Sequence, residues 1–307
     1  TRQNMANWCI RLAEEYLSIL YDHLHEELYF YHVIQADETP VLVNHDGRKA
    51  GSKSWMWVYR SGHLYQDRQI VLYEYQQTRN ASHPREFLKG YDGICVTDGY
   101  QVYHTLEKEL EELTIAGCWV HCRRRFDEAL KLIPKSCQKE SNVFLLMKQI
   151  QAIYREEGKL KDLSSDERLK QRQVVIRPLV DAFFAYLKTI KVSKKDKFGD
   201  AVGYALNQEK YLRVFLTDGD IPIDNNASER AIRGFCIGKK NWQMIDTING
   251  AKTSAIIYSI VETAKANNLK PFNYVQYLLE ELPQHMDDRD CSFLEDLLPW
   301  SEKLPAE

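Results

Sequence analysis

Apolar residues recur at helical spacing from the first turns of the chain, with Trp8, Leu12, Tyr16, Ile19 and Leu20 on one face, and the spacing predicts one helix over 4–29. The pattern then changes to HVIQADETPVLV, whose β-branched residues predict a strand carrying Asp37. SWMWVYR (54–60) and QIVLYEYQ (69–76) are short, aromatic and β-branched, with Ser61, Gly62 and His63 as a turn between them, so three antiparallel strands in a meander are expected. Ser82 to Lys89 reads as a helix with Pro84 in its first turn; Gly90-Tyr91-Asp92-Gly93 ends it, and the apolar strand ICVT stops at Asp98-Gly99. A helix over 100–112, a fifth strand at TIAGCWV and a helix from His121 to Ile133 follow, so the meander gives way to strand-helix alternation.

From about 139 to 216 the periodicity is helical throughout and rich in Lys, Glu and Gln, with a basic run from Lys188 to Lys197 that reads as a solvated loop. Beyond it come an acidic turn at Thr217-Asp218-Gly219-Asp220, the segment IPIDNNASERAIRGF, a long helix from about 250 to 267 and a last helix after Pro271. The expected organisation is an N-terminal helix (1–30), the first part of an α/β core (31–135), an all-helical insertion (136–216), the end of the core carrying Glu229 (217–270) and a C-terminal helical tail (271–307). No internal repeat or low-complexity tract interrupts this order.

A chain of 307 residues with 44% hydrophobic content can bury one large core or two smaller ones. It has no apolar run of about 18 residues, and its first residues carry neither a basic region nor a small-residue cleavage site, so a cytoplasmic protein without membrane partners is expected. Seven scattered cysteines, an odd number, read as reduced thiols and agree with that compartment. The net charge of -3 argues against DNA binding through bulk electrostatics and leaves a local basic surface as the route. An amphipathic pattern already under way at Thr1 predicts a segment upstream.

Three strands, a helix, a strand ending in an acid, and a further strand with helices form the order of a ribonuclease H-like, retroviral-integrase-type α/β core: a mixed sheet flanked by helices. There the first and fourth strands are neighbours, which would bring Asp37 and Asp98 face to face. The third carboxylate should come from a helix packed beside those strands, and Glu229 in DNNASERAIR is best placed. Three hard oxygen donors suit Mg²⁺ or Mn²⁺, and two such ions about 4 Å apart stabilise both oxygens of an in-line displacement at phosphorus. Arg230 and Arg233, three apart on that helix, are placed to reach DNA phosphates.

Each acid also has a plain structural reading. Asp37 is then a polar residue near a strand end, with Glu38 on the opposite face in solvent. Asp98-Gly99 is a turn dipeptide, and Glu229 closes a capping box with Asn226 or pairs with Arg233. The segment GRKAGSKS lacks the glycine spacing of a nucleotide-binding loop, and neither a Gly-x-Ser-x-Gly elbow nor a His-Glu-x-x-His helix is present, so NTPase, serine hydrolase and zinc protease readings have no starting residue.

With ADETPV, TDGYQVY, GCWVHCRRRF and PIDNNASERAIRGFCIGKKNW in this order, the chain resembles the insertion sequence 66 family of DDE transposases, over nearly its whole length to LLPW near Trp300. The resemblance implies that Asp37, Asp98 and Glu229 are the catalytic triad and metal ligands, that two Mg²⁺ or Mn²⁺ ions serve as cofactors, and that residues 136–216 are the insertion before the third acid. It implies transposon-end and target DNA as partners, a dimer or higher assembly on DNA, helper proteins of the same element, and DNA-binding and zinc-containing segments upstream in full-length relatives.

Cys118 and His121 have the spacing of a metal pair, but a closed zinc site needs four ligands and no second pair of suitable spacing exists. They are read instead as ending the fifth strand and holding site geometry, as a Cys-x-x-His element does in similar transposase groups; a buried Cys with a hydrogen-bonded His is the alternative. Arg123, Arg124 and Arg125 cannot all share one helix face, and with Lys239, Lys240 and Trp242 they are expected to clamp phosphates and offer a stacking surface. The rival functions are a catalytically silent, transposase-derived DNA-binding protein and a ribonuclease H-like nuclease that cuts without joining.

Overall fold

The computed structural model describes residues 1–305 apart from 50, 66, 194, 195 and 289. The chain forms two compact units, Thr1–Gly93 with Ala227–Glu307, and Ile94–Asn226. In the first, α1 (Arg2–Leu12) and α2 (Ser18–Leu28) join through a π-type turn at Ala13–Leu17, so the expected helix is one helical run with a wider turn inside it. Leu17, Leu20, Leu24 and Leu28 form its buried stripe. The meander follows as β1 (Val33–His45), β2 (Lys53–Ser61) and β3 (Val71–Gln76), all antiparallel.

The register sorts the side chains. Asp37 stands opposite Val58 and Val58 opposite Tyr73, so these three share one face; Glu38, Trp57 and Glu74 share the other. On that second face α3 (Ser82–Phe87) contributes Phe87, stacked on Tyr59 at 3.6 Å and on His25 of α2 at 3.9 Å between ring centres.

In the second unit, β4 (Gly93–Thr97) and β5 (Leu113–Gly117) are hydrogen-bonded neighbours, with α4 (Gln101–Glu109) between them in sequence. The strand expected over TIAGCWV stops at Gly117, and α5 (Trp119–Lys131) begins two residues later. The cause is Trp119: its indole is fully buried against Phe183, Phe184 and Phe215, its Nε1 donates to the Leu212 carbonyl at 2.8 Å, and its backbone N–H donates to the Ile223 carbonyl at 3.1 Å. Those partners lie outside the strand ladder and draw the chain from it.

The elements that follow are α6 (Asn142–Glu157), α7 (Ser165–Gln171), α8 (Arg177–Thr189), α9 (Lys197–Asn207) and α10 (Glu209–Leu212), so the regular secondary structure among the described residues from 138 to 216 is helical. Arg172, fully buried, ties this block together by pairing with Glu157 and donating through Nη1 to the carbonyls of Phe215 (2.8 Å) and Asp218 (2.6 Å). Of the basic run 188–197, residues 194 and 195 lie outside the described residues.

The chain returns to the first unit with α11 (Asn226–Trp242), β6 (Ile245–Thr247), α12 (Ile248–Ala266), α13 (Pro271–Glu281) and α14 (Leu294–Leu297). β6 pairs parallel with β1, Val43 opposite Ile245, which makes the sheet mixed. α11 and α12 cover the Val58 face, where Ile232, Phe235, Ala251 and Ala255 pack with Val41, Val43, Met56 and Tyr73. α12 also closes the outer edge of β3: Ser259 Oγ accepts the Tyr73 N–H at 2.7 Å, and Thr263 Oγ1 accepts the Val71 N–H and donates to the Val71 carbonyl, both at 3.0 Å. An edge covered this way is shielded from pairing with another chain. The fold is therefore α/β, a mixed sheet flanked by helices, and no described helix is long and apolar enough to cross a membrane.

Candidate active site

Asp37 lies in mid-strand, half-buried, with Oδ1 accepting the Glu38 N–H at 2.9 Å. Its face is the one α11 covers. Thr39, two residues on and therefore on the same face, places Oγ1 3.5 Å from Cys236 Sγ, and Lys239 Nζ donates to the Pro40 carbonyl. Since β6 continues from α11 and pairs in parallel with the end of β1, helix and strand numbers rise together along this contact. Stepping back from Thr39 to Asp37 covers about 6.6 Å. Stepping back from Cys236 to Glu229 covers seven residues, about 10.5 Å and close to two whole turns. Glu229 thus returns to the helix face of Cys236, in the first turn of α11, and its Oε1 is buried.

Glu38 does not stand in solvent as expected. It is buried and ion-paired with Arg79, whose Nε donates to Oε1 at 2.7 Å and whose guanidinium lies 4.8 Å from the Trp55 ring centre. The second face of the meander is covered, so an unpaired charge there would be costly; Arg79 supplies the counter-ion.

In the second unit Asp98 follows the last residue of β4, and its Oδ1 accepts the Tyr100 N–H at 2.8 Å in an Asx-type turn. Gly99 is needed here, because a Cβ at this position would lie 2.6 Å from Tyr204 Oη. Cys118 caps α5 and is buried; its Sγ accepts the Asn225 N–H at 3.2 Å, and burial pushes the thiol up to about 12. His121 sits within α5 instead of ending the strand, with a ring nitrogen within 4.8 Å of Cys118 Sγ. Cys118 therefore ties the segment that leads into α11 to the start of α5.

Arg123, Arg124 and Arg125 are all exposed and diverge: Arg123 lies 5.7 Å from the Tyr154 ring centre, and Arg125 lies 4.2 Å from that of Tyr204. In the first unit Arg230, Arg233 and Lys240 are exposed, while Trp242 packs edge-on against Phe235 at 5.4 Å. Sequence reasoning missed Thr39, Cys236 and Arg79. The first two had a signal, being two strand residues after Asp37 and seven helix residues after Glu229; Arg79 had none.

The sequence model of the family described as Transposase IS66 family matches residues 1–253, and that of the IS66 C-terminal element matches residues 259–300. Among curated relatives, the uncharacterized protein y4qI of Sinorhizobium fredii (strain NBRC 101917 / NGR234) is 31% identical across 100% of this chain and 57% of its own length. The uncharacterized protein y4jD of the same organism is 26% identical across 98% of this chain and 60% of its own length. The chain thus spans somewhat under two thirds of each of these relatives.

Proposed function

Because the chain belongs to the IS66 family of transposases, we propose that it cuts DNA at the ends of an insertion element and joins the freed end to target DNA by in-line phosphoryl transfer, using Asp37, Asp98 and Glu229 as a divalent-metal site. The observation that supports this reading is the run of β1 alongside α11, from the Thr39–Cys236 contact to the pairing of Val43 with Ile245, with Asp37 and Glu229 each upstream of that contact on its own element. We read the fold as a ribonuclease H-like core, with residues 136–216 as a helical insertion and Asp98 completing the triad.

The donor set fits Mg²⁺ or Mn²⁺: three carboxylates, each on a rigid element, with Asp98 Oδ1 fixed by a backbone amide and Oδ2 left for a ligand. Bound there, two such ions supply Lewis-acid polarisation of the phosphoryl group and lower the pKa of the attacking water. The chain's own part is positional. β1 holds Asp37, the Asx turn holds Asp98, and α11, anchored through Ile232, Phe235 and Cys236, holds Glu229 before DNA arrives. Arg123, Arg124, Arg125, Arg230, Arg233 and Lys240 take DNA phosphates, and Lys239 and Trp242 bound that surface at the end of α11.

The test uses labelled element-end DNA with Mg²⁺ or Mn²⁺. Asp37→Ala, Asp98→Ala and Glu229→Ala each reduce cleavage to background, and a variant that still cuts removes its residue from the triad. Pre-cleaved ends offered a supercoiled target yield joined products; hydrolysis alone would make the protein a nuclease. Two ends must be brought together, so light scattering should show at least a dimer on end DNA.

A further inference from the structure

The first unit contains a cavity of ≈ 260 Å³ lined by Arg60 of β2, Val71 of β3, Ala227 and Arg230 of α11, and Glu262 and Lys265 of α12. Three of these side chains are cations and one is an acid, and that acid is already engaged, Lys265 Nζ lying 2.7 Å from Glu262 Oε1. Arg60 and Arg230 therefore line the cavity with no ion pair of their own among the described residues. Arg60 is held by Nε donating to the Ser61 carbonyl at 3.1 Å and by Nη2 donating to Gln69 Oε1, which leaves Nη1 without a protein acceptor among the described residues. Arg230 makes no ion pair among the described residues. Burial, and after it the like charge of Arg230, pull the Arg60 guanidinium down to about 10, so the two groups are close enough to oppose each other.

Two guanidinium groups beside the Lys265–Glu262 pair leave the lining of the cavity with an excess of positive charge. The remaining walls are small and apolar, from Val71, Ala227, Ala231 and Ala266. Guanidinium forks match the paired oxygens of a phosphate, and the ammonium adds a point charge beside them. We infer that this cavity is a phosphate site that takes one phosphodiester of a bound DNA backbone. Arg230 directly follows Glu229, and consecutive helix side chains diverge by about 100°, so the phosphate held here is one flanking the bond to be cut. The assignment to DNA rests on the proposed function; the anion site itself does not.

The test is binding of a labelled duplex to the 307-residue chain without divalent metal, across a range of salt concentrations. Arg60→Gln and Lys265→Gln each lower the slope of log affinity against log salt by about 1 and weaken low-salt binding on the order of tenfold. Thermal melting confirms that each variant is folded. Should Arg60→Gln fail to fold, Lys265→Gln decides, since that side chain is 53% exposed. An unchanged slope in a folded Lys265→Gln protein overturns the proposal. Inorganic phosphate separates the sources: protection of the wild type from heat by phosphate, with DNA binding unaltered in both variants, marks a site for free phosphate and also overturns it. Wild-type protein that binds DNA with these slopes yet never cuts would count against the metal site alone, so the two readings fail separately.

Discussion

Thr39 Oγ1 and Cys236 Sγ meet at 3.5 Å, and this contact sets the position of α11 along β1. Two strand residues upstream of one is Asp37; seven helix residues upstream of the other is Glu229. In the proposed site, the strand and the helix that carry these two acids are thus positioned by a neutral contact further along.

The anchoring of α11 predicts a stability cost. Phe235 is fully buried among Tyr73, Trp242 and Tyr258. Phe235→Ala should destabilise the first unit by about 3–5 kcal/mol, read by urea denaturation, and should lower cleavage with it. A loss below about 1 kcal/mol would mean that α11 is held by other contacts.

Glu74 predicts a pH dependence. It sits on the second face of the meander with Oε2 buried and without a hydrogen-bond partner among the described residues, and burial raises its carboxyl from 4.5 to about 7. Because the folded value is the higher one, the stability linked to its neutral form is fully present below 4.5 and is lost as pH rises through about 7. Glu74→Gln should therefore gain up to about 3 kcal/mol over the wild type at pH 8.5 and almost nothing near pH 4.5, by denaturant melts at both. Equal gains at both would show that packing, not ionisation, is responsible.

The thiols predict a reactivity pattern. Cys9, Cys137 and Cys291 are exposed and Cys236 is intermediate, whereas Cys95, Cys118 and Cys122 are buried. Burial pushes all three of the latter thiols upward. Titration of the native protein with a disulfide reagent should show three fast thiols and a slower fourth, the rest appearing only on unfolding. Rapid reaction of Cys118 would contradict its place beneath the Asn225 amide.

Much of the first unit was legible because its strands are short runs of aromatic and β-branched residues and the turn between the second and third carries Ser and Gly; the meander and the assignment of Asp37 to mid-strand need only local pattern. What local pattern cannot carry is partnership. Trp119 leaves β5 because of groups near 212 and 223, Glu38 is buried because Arg79 reaches it, and α12 buries Ser259 and Thr263 because they bond the edge of β3. β6 is three residues long and exists only through its pairing with β1. Arg60 lies in a strand whose pattern is apolar, and nothing in the spacing joins it to Arg230 or Lys265.

The account turns on three carboxylates sharing cations, and crystals of the chain soaked in Mn²⁺ test it directly. Anomalous density bounded by Asp37, Asp98 and Glu229, and lost in Glu229→Ala crystals, is the predicted result. A Glu229 side chain turned away from β1, with Mn²⁺ absent from the three acids or bound at other residues, would contradict it.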